Sequence, residues 1–194
     1  MMQKNFSMNL SAKLFASTFA LSALTVPSIA QEKDWYSTFS VGMGNFVPLT
    51  STVGTVNFDP GFSFDVGIGK YISENTALEL SYDSHSSYGW RFWNLGVRDT
   101  TTSHSVLISP LLEFGKGEKW KPFIGPSIGT SWVSNGGETA SSFAYGFQGG
   151  LSYEMNENSD LILKISHVRA TRLDYSTTWV ENGGYTSIKI GTRF

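Results

Sequence analysis

Residues Tyr185–Phe194 read "YTSIKIGTRF", and their alternation decides the fold. Thr186, Ile188, Ile190, Thr192 and Phe194 fall on one side of an extended strand, and Tyr185, Ser187, Lys189, Gly191 and Arg193 on the other. One face is greasy. The other is charged, polar or tiny. A strand with no chain after it frays unless something holds it, so the pattern predicts a partner strand for this segment.

Towards the N-terminus the same period of two recurs seven more times, with no competing helical period. Trp35, Phe39, Val41 and Met43 oppose Tyr36, Thr38, Ser40 and Gly42. Phe62, Phe64, Val66 and Ile68 oppose Ser63, Asp65, Gly67 and Gly69, while Leu78, Leu80 and Tyr82 oppose Ala77, Glu79, Ser81 and Asp83. Runs 105–114, 123–132, 143–154 and 161–168 repeat the pattern. The connections come in two kinds. "KYISENTA" (70–77), "GKGEKWK" (115–121) and "MNENSD" (155–160) are short and polar, whereas 47–61, 84–103, 133–142 and 169–184 are long. An even number of strands with short turns on one rim and long loops on the other predicts an all-β, eight-stranded antiparallel transmembrane β-barrel.

The aromatic residues agree. Trp35, Phe114, Trp120, Tyr153 and Phe194 lie near the short turns, and Phe62, Tyr82, Trp132, Phe143 and Tyr145 near the long loops. Two aromatic belts separated by Val, Ile and Leu match a bilayer with two interfaces. The competing reading is a secreted β-sandwich, whose exterior would be less rich in glycine and its apolar face turned inward. In a closed barrel the last strand pairs with the first, which leaves no edge and holds Phe194 in place.

The N-terminal thirty residues have the build of a secretory signal peptide: Lys4 and Lys13, an apolar run Leu14–Val26, then Ser28 and Ala30 at a cleavage site. A membrane anchor would need a longer run. The expected organisation is therefore 1–30 signal peptide and 31–194 barrel, exported to a bacterial outer membrane. Without Lys4 and Lys13 the chain keeps 12 of its 14 basic residues against 16 acidic ones, a net charge of −4, which argues against a nucleic-acid partner. There is no cysteine, so neither disulfides nor thiol chemistry enter.

On the face predicted to line the barrel stand Asp65, Glu79, Asp83, Glu113 and Glu154 against Lys164, Lys189 and Arg193. An eight-stranded barrel is just wide enough for its side chains to fill it. These charges are expected to pair as an interior plug; the alternative is a narrow polar conduit. Pro110 and Pro126 each remove a ladder donor, lie about equally far from the 115–121 turn, and are expected to oppose each other with a local bulge. His85 and His104 flank the second long loop and would approach each other there, with Asp83 and Asp99 nearby. Exposed loop histidines are the plainer reading, so no metal or cofactor is predicted. That loop carries Tyr88, Trp90, Phe92 and Trp93 beside Arg91 and Arg98. These rings either cover the barrel mouth, against Tyr175 and Trp179, or form a contact surface. Strand parity puts Arg169 on the lipid-facing side at the long-loop rim with Arg172 nearby, at the height of lipid A phosphates; the alternative is pairing with Asp174 or Glu181.

Several stretches resemble known families. "YGFQGGLSYEMNENSDLILKISH" (145–167) looks like the sixth and seventh strands of OmpX-type proteins, "GTRF" (191–194) is similar to their "GYRF" ending, and "KWKPFIGPSIG" (119–129) looks like the "PYVGAGIG" hairpin of small outer-membrane barrels. The whole predicted barrel thus resembles the families of the OmpA transmembrane domain, OmpX/Ail and OmpW. These include structural barrels, adhesins, serum-resistance factors and small-molecule conduits. Phe194 with Thr192, Ile190 and Ile188 resembles the signal read by the outer-membrane assembly machinery. A second resemblance joins "HSVLISPLLEFGKGEKWKPFIGPSIG" (104–129) to PagL-type lipid A deacylases. Those enzymes carry a His-x-Ser pair late in strand seven. Here "SHVRAT" (166–171) keeps His167 but has Arg169 where the serine belongs; Ser166 points to the other face, and Glu181 does not fall into the family position. The expectation is a barrel that is not an enzyme and that meets outer-membrane lipid, lipopolysaccharide or a host or matrix ligand.

Overall fold

The computed structural model describes residues 34–51, 54–56, 58–90, 98–115, 117–135, 137–175, 179–181 and 183–194; the expected leader lies outside them. All regular structure in these residues is β. The strands are β1 (Trp35–Phe46), β2 (Leu49–Ser51), β3 (Gly54–Val56), β4 (Gly61–Ser73), β5 (Thr76–Trp90), β6 (Arg98–Glu113), β7 (Trp120–Asn135), β8 (Glu138–Asn156), β9 (Ser159–Ala170), β10 (Arg172–Asp174), β11 (Trp179–Glu181) and β12 (Gly184–Arg193). Eight of them close into a barrel in the order β1-β12-β9-β8-β7-β6-β5-β4, every pair antiparallel. The seam joins β12 to β1 with Ile190 opposite Val41. It is finished by reciprocal bonds: the Ser37 amide donates to the Phe194 carbonyl at 3.0 Å and the Phe194 amide to the Ser37 carbonyl at 2.9 Å.

Burial alternates along the strands as the sequence does. On β12 Ile188 is 58% exposed and Ile190 54%, while Lys189 between them is 1% exposed. The pattern is inverted relative to a soluble protein: the apolar row faces out and the charged row faces in. Leu78, Leu80, Ile108, Leu112, Ile124, Ile128, Leu163 and Ile165 continue the outward band around the wall. An apolar belt this continuous has a lipid, not water, as its solvent.

Two of the long segments are shorter than their sequence suggests. β5 runs on to Trp90 and β6 begins at Arg98, so most of 84–103 is hairpin, with Ser86 opposite Thr102 and their hydroxyls 3.2 Å apart. β7 reaches Asn135 and β8 starts at Glu138, across a turn with Gly137 at φ 90°. Beyond the apolar band the outer face turns polar as well, while the inner face stays buried at Ser87, Thr101 and Ser103. The greasy-polar alternation stops there, although the backbone ladder does not. The other two long segments carry the small ribbons β2–β3 and β10–β11.

The two prolines stand as expected, but without a bulge. Pairing of β6 with β7 runs through Ile108 opposite Ile128 and resumes at Leu112 opposite Ile124 with the count unbroken, which sets Pro110 opposite Pro126. The ladder is interrupted, not shifted, because both sides lack a donor and no extra residue is needed. Inside the wall the Ser109 and Ser127 hydroxyls bridge the break at 2.8 Å. The shifts of register lie elsewhere, at Tyr71/Ser73 and Glu154/Asn156 beside the short turns.

Candidate functional site

The bore is filled in layers. At the short-turn end Tyr36, Ala77, Leu111, Phe123 and Ile162 form an apolar layer with Tyr71 packed on it. Arg193 passes through this layer. Its Nη1 donates to Glu113 and, at 3.0 Å, to the Tyr71 hydroxyl, and its guanidinium lies 4.6 Å from the centre of the Tyr36 ring. The Tyr71 hydroxyl in turn donates to Glu113 Oε2 at 3.0 Å. At the long-loop end a second apolar layer holds Phe46, Leu107, Ala144, Val168 and Tyr185, with Phe58 against it.

Between the two lies the ionic layer. Lys164 Nζ is 2.8 Å from Asp65 Oδ2 and 3.4 Å from Glu79 Oε1. Lys189 Nζ is 3.1 Å from Asp65 Oδ1 and also binds Asp83. Ser40 donates to Asp65, and Gln148 Nε2 to Glu79 at 3.1 Å. Parity puts all these side chains on one face of their strands, and closure of the wall brings β1, β4, β5, β8, β9 and β12 together across the bore. A water-filled conduit would leave its lining accessible, yet Leu111, Ile162, Tyr185, Lys189, Glu79 and Asp65 are each below 2% exposed.

Glu154 does not join this network, contrary to the sequence expectation. The irregularity between Glu154 and Asn156 lies where β8 runs out to the rim, and there Glu154 pairs with Lys121 at 2.8 Å, its side chain 44% exposed. The hydrogen bond from Lys121 holds its carboxyl below the ordinary glutamate value. The histidines are corrected too. His85 faces the bore and is fully buried, whereas His104 faces outward beside Ser84, so the two stand on opposite sides of the wall. His104 Nδ1 is 2.7 Å from the Tyr82 hydroxyl and 3.2 Å from that of Ser84. Among the described residues no three of His, Asp and Glu gather to hold a metal ion. Tyr36, Tyr71 and Gln148 join the interior network without a charge to mark them in the sequence; their inward parity was the only available signal.

On the outer wall, the apolar row of β9 (Leu161, Leu163, Ile165) ends and His167 and Arg169 follow. Arg169 Nε donates to His167 Nε2 at 3.3 Å, and His167 Nδ1 is 2.8 Å from the Thr186 hydroxyl. The His167 ring packs against Phe147 at 5.4 Å, and Tyr145 pairs with Arg169 across the ladder. No carboxylate among the described side chains binds Arg169. Arg172 is different: its Nε lies 2.7 Å from Asp174 Oδ1, both side chains exposed. Above the bore Val133, Ala140, Ala170 and Leu173 form a cap with Tyr175, whose hydroxyl donates to the Val133 carbonyl at 3.3 Å. Burial first, then the nearby Glu138, pushes the Tyr175 phenol up to about 12, so it stays neutral in ordinary conditions. Trp90 ends β5, while Phe92 and Trp93 lie outside the described residues. Ile188, Ile190 and Phe194 stand exposed on the lipid side of β12, with Thr192 between them half-buried.

The chain matches the family model of the outer membrane protein beta-barrel domain over residues 16–192. Among solved structures it is similar to Neisserial surface protein A, at 20% identity and a TM-score of 0.61, over 82% of this chain and 95% of that one. It is similar to Ail of Yersinia pestis, solved with the heparin analogue sucrose octasulfate, at 14% identity and a TM-score of 0.51, over 83% and 99% of the two chains. OprG of Pseudomonas aeruginosa gives 10% identity and a TM-score of 0.52, over 84% and 97%. No curated protein matches the sequence. At these identities the structural likenesses speak for the fold alone.

Proposed function

The chain belongs to the outer-membrane protein β-barrel family and resides in the bacterial outer membrane, and from that premise we propose that it is a structural, surface-interaction barrel whose outer rim holds lipopolysaccharide phosphate. The observation that carries this reading is Arg169, set on the lipid side where the apolar band ends, its Nε turned to His167 and no described carboxylate bound to it. Guanidinium binds phosphate through paired, charge-assisted donors, and the interface is where such an anion lies. Phe147 and Tyr145 beside it give the amphipathic ring surface that partitions to that depth. Arg172 contributes less, since Asp174 already neutralises it. Trp90, Phe92 and Trp93 are proposed as a separate ring contact for the sugar–acyl boundary. The assembly machinery is a further proposed partner, reading Ile188, Ile190, Thr192 and Phe194.

The test is lipopolysaccharide binding by the purified barrel. Losing a hydrogen bond to a charged group costs roughly 1.5–3 kcal/mol, so Arg169→Gln is expected to weaken binding at least tenfold and Arg172→Gln much less. Replacing Trp90, Phe92 and Trp93 by Ser tests the ring contact. Sucrose octasulfate, bound by Ail, serves as the host-ligand arm because sulfate offers the same oxygens. Equal binding by wild type and Arg169→Gln, both folded, overturns the proposal. A hydrolase reading survives on one observation, the His167 ring bonded to the Thr186 hydroxyl. It lacks the serine of its family and any described carboxylate on His167. A change of lipid A acylation on expression, abolished by His167→Ala, would establish it in place of the contact role.

A further inference from the structure

The ionic layer does not balance. Among the described residues the buried charges are Asp65, Glu79, Asp83 and Glu113 against Lys164, Lys189 and Arg193, so the bore is one positive charge short. Glu113 and Arg193 neutralise each other at the short-turn end. The deficit therefore belongs to the middle, where three carboxylates share two ammonium groups. An uncompensated charge in such an interior is costly, and eight-stranded walls leave it no route to water.

A second observation locates where the missing charge sits. Asp83 Oδ2 is bound by Lys189, whereas Asp83 Oδ1 has only the Tyr185 hydroxyl beside it. Next above it on β5, His85 has no side-chain hydrogen-bond partner, and neither the Ser187 hydroxyl on β12 nor the Ser166 hydroxyl on β9 has any. All five residues are at most 3% exposed. The rings of His85 and Tyr185 stack at 5.1 Å, and Ser187 pairs with Ser166 across the ladder. Native interiors rarely leave such atoms unsatisfied, and these lie on β5, β9 and β12, the strands that carry Asp83, Lys164 and Lys189. Tyr185 belongs to the apolar layer of Phe46, Leu107 and Val168, and the Phe46 ring lies 4.7 Å from that of His85.

We propose that this stretch of the bore, between the Lys189–Asp83 pair and the His85–Tyr185 stack, is a binding site for one monovalent cation, a proton or an alkali ion, held with buried water. The charge count asks for one positive charge, and the oxygens of Asp83, Tyr185, Ser187 and Ser166 are the ligands or water partners such an ion takes. A divalent ion would overshoot the deficit. The buried charged and titratable groups in this part of the bore are Asp65 on β4, Glu79, Asp83 and His85 on β5, Lys164 on β9, and Tyr185 and Lys189 on β12. Bound cation stabilises only the folded barrel, so stability follows its concentration.

The experiment measures the unfolding midpoint of the purified barrel in detergent. One series replaces N-methyl-D-glucamine by sodium or potassium at pH 8 and constant ionic strength; the other varies pH from 9 to 6. An alkali ion raises the midpoint in the first series, with saturation. A proton leaves the first series flat and raises the midpoint as pH falls, because the folded state binds a proton that the unfolded carboxylate releases in this range. Asp83→Asn removes the excess charge and is expected to lose the response; Glu79→Gln does the same and stands in should Asp83→Asn fail to fold. A wild-type midpoint flat in both series, or a response unchanged in the charge-balanced variants, overturns the proposal.

Discussion

Lys189, like Lys164, bridges two carboxylates in the interior. It is fully buried and reaches both Asp65 on β4 and Asp83 on β5. Replacing it by Met keeps the volume but leaves two buried carboxylates short of a partner. Breaking a buried pair this way costs roughly 3–5 kcal/mol, so Lys189→Met is expected to lower the urea midpoint of the refolded barrel sharply. Glu154→Ala is the control. Its pair with Lys121 is exposed and screened, so water replaces the lost contact and the midpoint should not move. Similar loss in both variants would mean that the two sites share one environment, against their burial. Both residues have inward parity in the sequence. Only the position along the strand separates them, and parity does not report depth.

At the scale of an element, β6 and β7 are joined less completely than their neighbours. From Ser109 to Leu111 the ladder has no pairs, because Pro110 and Pro126 stand opposite one another. Carbonyls left unpaired in a lipid-embedded wall are costly, and the hydroxyl bridge of Ser109 and Ser127 repairs only the inner side. Restoring donors with Pro110→Val and Pro126→Val is expected to stabilise the barrel by about 0.5–1.5 kcal/mol per bond regained. The opposing effect, greater freedom of the unfolded chain, is about 0.4–1 kcal/mol per proline. The bonds win because their alternative partner, water, is absent from the wall. A lower urea midpoint in the double variant would show instead that the break is a required feature of the wall's shape.

For the whole molecule the decisive event is closure. Until β12 meets β1, both strands are edges in a medium that cannot bond to them. The reciprocal Ser37–Phe194 bonds extend that seam to the last residue, and Phe194 itself stands 50% exposed on the lipid side. Removing Phe194 deletes two seam bonds and an interface ring together. The expected result is a lower yield of heat-modifiable, protease-protected barrel in outer membranes. An unchanged yield would show that closure and assembly draw their specificity from the residues before it.

Much of this was legible in the residues. An alternation of period two leaves little choice but strands, and eight of them with short and long connections by turns leave little choice but a closed wall. The eight barrel strands, their faces and the opposition of Pro110 to Pro126 followed from counting alone, because a pleated strand sends side chains to alternate sides whatever surrounds it. What counting could not reach is anything that depends on distance across the bore or on depth. That His85 lies inside and His104 outside was a matter of where the strands end, and above the membrane the alternation that marks a strand disappears. That Glu154 meets Lys121 in water and that three carboxylates share two lysines depend on strands remote in sequence. Those contacts are set by closure and register of the wall, and no local pattern encodes them.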